Sequence, residues 1–253
     1  MTVCIALINL EKREPRIIVC ADTLLDGVST SAHDIKVELL GWTFFAMMSG
    51  DDWKMATELA KRIRERIRSQ GAPSKLEVLY RTVKDATAGF KSSPFCGDAT
   101  VDLIVGGFIG REPILMTTGF YKKEPYTDSV HEIAVVGSGA QIAESFLRVR
   151  GYNANTVSWR VGAYFAYEAK KYSENAPSVG KQTCFDVFVP NPDAPKEGQV
   201  RTAWPADSDV LDRFERCRTN VFGLKPVFEG LLPNLPSPTD DLSDRLTSPG
   251  SSE

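Results

Sequence analysis

The chain has 253 residues, a formal net charge of −3, and a composition that is 42% hydrophobic and 25% charged. These fractions are those of an ordinary globular protein, and the length fits one large domain or one domain with a tail. No apolar stretch approaches the roughly 18 residues of a membrane span, and the N-terminus lacks the basic flank and cleavage site of a signal peptide, so we expect a cytoplasmic protein.

The cysteines and histidines do not form a metal-binding pattern. The five cysteines show no Cys-x-x-Cys spacing, and the two histidines, His33 and His131, lie near neither a cysteine nor paired carboxylates at ligand spacing. We therefore expect reduced, mostly buried thiols and no zinc site. Neither a phosphate-binding Gly-x-x-x-x-Gly-Lys nor a Gly-x-Gly-x-x-Gly occurs, so no cofactor is expected.

The chain opens with two apolar runs that predict a buried β-hairpin. Residues 3–8 and 17–21 are apolar on both faces, as expected for strands in a sheet that is covered on each side. Asp22 ends the second run, and a carboxylate there lies beside the start of the first strand if the pair is antiparallel. Lys36 is the next lysine along the chain.

A third buried strand is predicted over residues 41–48, followed by a helix that begins within residues 49–52 and ends before Gly71. One stripe of this helix is apolar at i, i+3 and i+4 positions. The opposite face is basic, but Glu58 and Glu65 lie on the same helix and the whole chain is acidic. We therefore expect a solvated or subunit-facing helix surface and no nucleic-acid binding.

Beyond this helix the pattern alternates between groups of helices and groups of strands. Ser74-Lys75-Leu76-Glu77 is a capping box that predicts the start of a second helix. Asn155 or Thr156 is expected to cap a later helix. Further strands are predicted over residues 102–108, 114–116, 132–136, 185–189 and 199–203, and further helices over residues 140–149, 157–172 and 210–216. This grouping favours antiparallel sheets flanked by helices over alternating βαβ units.

The composition divides the chain into three regions. Residues 1–206 carry the predicted strands and most of the helices and form the main domain, and residues 207–230 form a helical extension. Residues 231–253 are rich in Pro, Ser and Asp, a composition typical of a disordered tail.

Thr2 is the first candidate for a catalytic residue. A small second residue normally permits removal of Met1, which leaves a threonine carrying both a hydroxyl nucleophile and a free α-amine that can act as its base. We expect maturation to need only this removal. The alternative is that Thr2 simply opens the first strand, because many ordinary proteins begin Met-Thr.

Further motifs follow Thr2 in a recognisable order. They are a strand ending Ala21-Asp22-Thr23, then Lys36, a strand ending Ser49-Gly50 before a helix, the strand at 102–108, the turn Gly137-Ser138-Gly139 before a helix, and Ser178-Val179-Gly180 before a strand. This order resembles the catalytic β-type subunits of the proteasome and their bacterial relatives, within the N-terminal nucleophile hydrolases. The resemblance covers roughly residues 2–205. It implies an α+β fold, a four-layer αββα sandwich of two antiparallel sheets flanked by helices.

The resemblance also implies how the reactive residues act. Thr2 Oγ attacks an amide carbonyl, and the freed amine, which must be neutral, accepts the hydroxyl proton. Lys36 lowers the pKa of this amine, because two like charges about 4 Å apart repel by roughly 4 kcal/mol at an effective dielectric of 20. Asp22 keeps Lys36 charged and oriented. Taken singly, Asp22 is an ordinary turn cap and Lys36 an ordinary exposed lysine.

Three more residues complete the implied site. The backbone N–H of Gly50, at the beginning of a helix, donates to the developing oxyanion, and Ser138 and Ser178 bind the terminal amine and relay protons. Each of these also has an ordinary explanation as part of a strand-to-helix turn. The family has an aspartate a few residues before the second serine; here Glu174 and Asn175 are the two candidates to replace it.

The expected function is that of a threonine hydrolase that cleaves peptide or other amide bonds through an acyl-enzyme on Thr2, without a cofactor. The resemblance implies a homo-oligomeric ring acting on peptide or protein substrates, and leaves any ATPase partner undetermined. Two alternatives remain open. One is a non-catalytic structural subunit of a proteasome-like assembly, since fold does not dictate function, and the other is a small-molecule amidase of the same superfamily.

Overall fold

The computed structural model describes residues 2–11, 14–22, 36–41, 43–176, 179–190, 201–205 and 208–220. The strands are β1 (Val3–Asn9), β2 (Arg16–Asp22), β3 (Val37–Gly41), β4 (Phe44–Gly50), β5 (Val101–Ile109), β6 (Glu112–Tyr121), β7 (Glu124–Val130), β8 (Ile133–Gly137), β9 (Thr183–Val189) and β10 (Arg201–Pro205). The helices are α1 (Trp53–Gln70), α2 (Leu76–Phe90), α3 (Ala140–Val149), α4 (Trp159–Ser173) and α5 (Ser208–Asn220). The mixture of helices and antiparallel strands confirms the predicted α+β class.

The strands form two antiparallel sheets. The first has the order β10-β9-β2-β1-β8, and the second has the order β3-β4-β5-β6-β7. In the first sheet, Cys4 pairs with Ala21 and Val3 pairs with Gly137, so both the end of β2 and the end of β8 lie beside the start of β1. The predicted hairpin over residues 3–8 and 17–21 is confirmed, with strands slightly longer than predicted.

Three hydrophobic clusters account for the burial of these strands. One joins the first sheet to α3, α4 and α5 and includes Val3 and Phe214. A second joins the two sheets to each other and includes Ala6 and Phe45. The third joins the second sheet to α1 and α2. Because β1 and β2 contribute to clusters on both of their faces, every residue in them is buried, as their two-sided apolar pattern predicts.

α1 ends before Gly71 as predicted, and its apolar stripe is buried against the second sheet. It begins at Trp53, later than the predicted start within residues 49–52, because Asp52 is its N-cap. The capping box predicted for α2 is wrong. Lys75 occupies the N-cap position and makes no side-chain cap hydrogen bond, since the helix starts at Leu76, one residue later than a cap at Ser74 requires.

The predicted cap of α4 is also wrong. Ser158 is the N-cap, and its hydroxyl accepts the N–H of Val161. Asn155 and Thr156 belong instead to a preceding turn, where both backbone N–H groups donate to Asn153 Oδ1. The helix cap is therefore Ser158, two to three residues later than predicted, and Asn153 forms a separate local turn before it.

Two strands differ from the sequence prediction. β3 was not predicted: the strand predicted over residues 41–48 corresponds to β4, and β3 precedes it and forms a hairpin with it whose register is irregular between Leu39 and Gly41. β7 was not predicted at all, because it lies at the edge of the second sheet and its sequence is polar and largely exposed or half-buried. β7 is a strand because its backbone pairs with β6, although its residue types do not indicate a strand.

The helix predicted over residues 210–216 is confirmed as the longer α5, and Phe214 is fully buried in the cluster that contains α4. The predicted tail over residues 231–253 lies outside the described residues. Within the described part of the chain, no helix is both long enough and apolar enough to cross a membrane.

Candidate active site

Thr2 lies directly before β1, and the strands beside it determine which side chains surround it. β2 ends in Asp22 on one side of β1, and β8 ends before Ser138 on the other. Lys36 lies directly before β3 in the second sheet. Thr2, Asp22 and Lys36 are respectively 4%, 0% and 2% exposed, which is unusual for a lysine and an aspartate.

These three side chains are in direct contact. The Thr2 hydroxyl donates to Asp22 Oδ1 and accepts a hydrogen bond from Lys36 Nζ. Lys36 Nζ also lies 2.6 Å from Asp22 Oδ1, so the ammonium and the carboxylate form a buried ion pair with the hydroxyl against both. The sequence placed these residues in order along the chain; the fold brings them within hydrogen-bonding distance.

The Asp22 carboxylate has two further donors, both from the backbone. Val3 N–H donates to Oδ1 at 3.3 Å, and Gly180 N–H donates to Oδ2 at 2.6 Å. Hydrogen bonds of this kind stabilise the ionised form of a buried carboxylate. The role of Gly180 was missed from the sequence: it was recognised as part of a Ser-Val-Gly motif, but a backbone contact between residues so far apart in the chain leaves no sequence signal.

The placement of Gly50 differs from the prediction. Gly50 is the last residue of β4, with φ at +143°, and α1 begins only at Trp53. The prediction that its N–H lies at the beginning of a helix is therefore wrong, although the end of β4 does reach the site. The carbonyl oxygen of Thr2 and the buried Ser49 hydroxyl both lie within 2.6 Å of the point where a Cβ on Gly137 would be.

The serines of the predicted site have different outcomes. Ser138 is exposed, and its hydroxyl donates to the carbonyl oxygen of Thr2 at 3.4 Å, whereas the sequence predicted a contact with the Thr2 nitrogen. Ser178 lies outside the described residues.

The carboxylate of Glu174 pairs with two lysines of α4, and the Asn175 side chain donates to the carbonyl of Tyr172. The partners of Glu174 and Asn175 in these contacts are residues of α4, not Thr2, Asp22 or Lys36.

Cys4 is a second buried side chain with a potential nucleophile near Thr2. Its Sγ donates to the carbonyl oxygen of Met48 at 3.3 Å. Burial raises the pKa of the Cys4 thiol to about 12, although the nearby Lys36 acts in the opposite direction. Because the thiolate is the reactive form of cysteine, Cys4 is held in its unreactive state, which leaves the Thr2 hydroxyl as the candidate nucleophile.

Gly137 provides a test of how closely the site is packed. Gly137→Ala is expected to lower the free energy of unfolding by about 3 kcal/mol, since the new methyl group combines an unfavourable φ with overpacking. The φ of Gly137 is +100°, and the added Cβ would lie 2.0 Å from the carbonyl oxygen of Thr2. Urea denaturation measures the change.

Gly151→Ala is the matched control, because Gly151 also has a positive φ, +69°, but nothing lies within 4 Å of its added Cβ. It is expected to cost about 1 kcal/mol from backbone strain alone. Equal costs for the two variants would show that Gly137 and Thr2 are not packed against each other in solution.

Within the described ranges, no group of three or more His, Cys, Asp or Glu side chains is arranged to hold a metal ion. Comparison of the chain with protein-family models and with curated proteins finds no match to either. The function must therefore be inferred from the geometry of Thr2, Asp22 and Lys36 and from the order of motifs along the chain.

Proposed function

We propose that this protein is a threonine-type hydrolase that cleaves peptide or other amide bonds with Thr2 as its nucleophile. The observation that carries the proposal is the contact of the Thr2 hydroxyl with both members of the buried Lys36–Asp22 ion pair. A buried ion pair is costly unless its geometry is satisfied. Here the uncharged Thr2 hydroxyl forms hydrogen bonds with both charged groups, and contact with such groups is one way to activate a weak oxygen nucleophile.

The chemistry requires cleavage of the peptide bond before Thr2, so that its nitrogen becomes a free amine. The neutral amine accepts the proton from Oγ, directly or through a water, as Oγ forms a bond to the substrate carbonyl carbon. The substrate C–N bond then breaks, and the amine returns the proton to the leaving nitrogen. Water hydrolyses the resulting ester on Thr2 by the reverse sequence of proton transfers.

Lys36 and Asp22 have different tasks in this scheme. The ammonium of Lys36, against Oγ, stabilises negative charge on that atom during attack and disfavours a second positive charge on the neighbouring amine. Asp22 fixes the ammonium through the 2.6 Å contact and is itself fixed by the N–H groups of Val3 and Gly180.

The finer architecture and the assembly form part of the same proposal. The order of the three hydrophobic clusters supports a four-layer αββα sandwich, the fold of the N-terminal nucleophile hydrolases. By resemblance to the proteasome β-type subunits, the protein assembles into a homo-oligomeric ring in the cytoplasm. Native mass spectrometry tests this last point, and a monomer at micromolar concentration would contradict it.

The direct test is the reactivity of Thr2. The intact mass of the purified protein is expected to show an N-terminus at Thr2, and a threonine-directed boronate or epoxyketone is expected to modify that residue. Thr2→Ala is expected to lower amide hydrolysis by about 10⁴-fold or more, whereas Thr2→Ser keeps a hydroxyl and retains part of the activity. Peptide mapping locates the adduct. Retained Met1 or an unmodified Thr2 would contradict the proposal.

A non-catalytic subunit with the same fold is the second candidate, and two observations favour it. The Ser138 hydroxyl contacts the carbonyl of Thr2 instead of its nitrogen, and the Glu174 carboxylate forms ion pairs with two lysines of α4. Equal background turnover in wild type and Thr2→Ala would support this role. If Thr2 does react, fluorogenic peptides compared with acyl-amide substrates separate a peptidase from a small-molecule amidase.

A further inference from the structure

Lys170 is a second buried lysine close to the site, and neither the sequence resemblance nor the proposed chemistry uses it. It lies in the last turn of α4 and is 0% exposed. Its Nζ donates to Glu174 Oε1 at 2.5 Å and to the carbonyl oxygen of Lys181 at 2.9 Å. Lys171 makes a longer contact of 3.3 Å with the same carbonyl oxygen, so two ammonium groups converge on it.

The acceptor of these bonds is next to a residue of the site. Lys181 directly follows Gly180, whose N–H donates to Asp22 Oδ2 at 2.6 Å. The chain between this N–H and the Lys181 carbonyl contains only two residues' backbone dihedral angles, since peptide bonds are planar. Holding the Lys181 carbonyl therefore restricts the direction of the Gly180 N–H.

Packing alone does not explain a lysine at position 170. An apolar side chain would fill a buried helix position at lower cost, because burial disfavours the charged form, and it lowers the pKa of Lys170. The ammonium is retained at this cost in a position where it binds two oxygens, one of them the main-chain carbonyl of Lys181. Glu174, by balancing the charge of Lys170, belongs to the same anchor.

We propose that Lys170 is a positioning residue: through the carbonyl of Lys181 it holds the Gly180 N–H on Asp22, and so fixes the carboxylate that orients Lys36 and Thr2. This inference rests on the proposed function, in which Asp22 holds the Lys36 ammonium. Glu174, a candidate in the sequence to replace an aspartate at the site, contacts Lys170 and not Thr2 or Asp22. It stabilises the lysine that anchors the loop after α4.

The test measures two quantities in the full-length protein. One is the rate at which an epoxyketone modifies Thr2, and the other is hydrogen–deuterium exchange of the backbone at residues 179–182. Lys170→Met is expected to slow modification about tenfold, as for loss of one charge-assisted hydrogen bond, and to speed exchange at Gly180. In Lys170→Met, Glu174 keeps only Lys171 as its partner. The double variant Lys170→Met/Glu174→Gln removes this carboxylate charge as well, so it reports the same loss if the single variant is unstable.

Arg148→Met is the matched control, because it breaks an exposed i,i+4 ion pair with Glu144 on the adjacent helix α3. It is expected to leave both quantities at wild-type values. Unchanged exchange at residues 179–182 in both Lys170 variants would overturn the inference, even if modification slows. Absence of any Thr2 adduct in wild type would overturn the proposed function, while the exchange data would still decide whether Lys170 anchors Gly180.

Discussion

Lys36→Met is expected to lower the free energy of unfolding by about 3–5 kcal/mol, because it leaves a buried carboxylate without its counter-charge. It is also expected to abolish modification of Thr2, because the ammonium that contacts Thr2 Oγ is absent. The Asp22 side chain is 0% exposed, and Lys36 Nζ lies 2.6 Å from it. The Thr2 hydroxyl and two backbone N–H groups remain as partners, but none of them carries a charge. Urea denaturation and peptide mapping of the adduct measure the two effects.

The double variant Lys36→Met/Asp22→Asn separates stability from chemistry. Removing the uncompensated charge is expected to restore most of the stability, while Thr2 stays unreactive because the ammonium is absent. Lys61→Met is the surface control, since Lys61 is 49% exposed and its nearest carboxylate oxygen, on Glu58, is 3.8 Å away. It is expected to change stability by less than about 1 kcal/mol. A Lys36→Met variant as stable as wild type would show that the ion pair does not form in solution.

Asp186→Asn is expected to stabilise the protein increasingly as pH rises. Asp186 lies in β9, is 7% exposed, and its Oδ1 has no hydrogen-bond partner among the described residues. Burial raises the pKa of this carboxyl to about 7 from an ordinary value of 3.8. Between these two values the folded protein keeps a proton that the unfolded chain releases, so the stability of the wild type falls as pH increases.

The size and limits of this effect follow from the two pKa values. Each pH unit between them is worth about 1.4 kcal/mol, so the variant is expected to gain about 4 kcal/mol relative to wild type between about pH 4 and about pH 8. Urea denaturation across this range measures the difference. Asp128→Asn, at an exposed position of β7, removes the same charge as a control. A difference between Asp186→Asn and wild type that does not vary with pH would show that the Asp186 carboxyl is not buried in solution.

The sequence predicted most of the regular elements because their signals are local. Two-sided apolar runs identified β1 and β2, and a stripe of apolar residues at helical spacing identified α1, whose members are buried as predicted. β7 escaped prediction because an edge strand with polar residues has no apolar pattern of its own. The caps of α2 and α4 were misplaced because several neighbouring polar residues can each cap a helix, and tertiary packing decides which one does.

The candidate site divides in the same way. The sequence by itself determined which residue types are present and in what order, and that order was enough to select Thr2, Asp22 and Lys36. Only the tertiary structure decided that their side chains meet, because the pairing of β1 with β2 and the packing of the two sheets bring together residues that are distant in the chain. The contacts of Gly180 and Lys170 could not be predicted from the sequence for a further reason. Each joins a side chain to a main-chain atom, and main-chain atoms are the same in every residue.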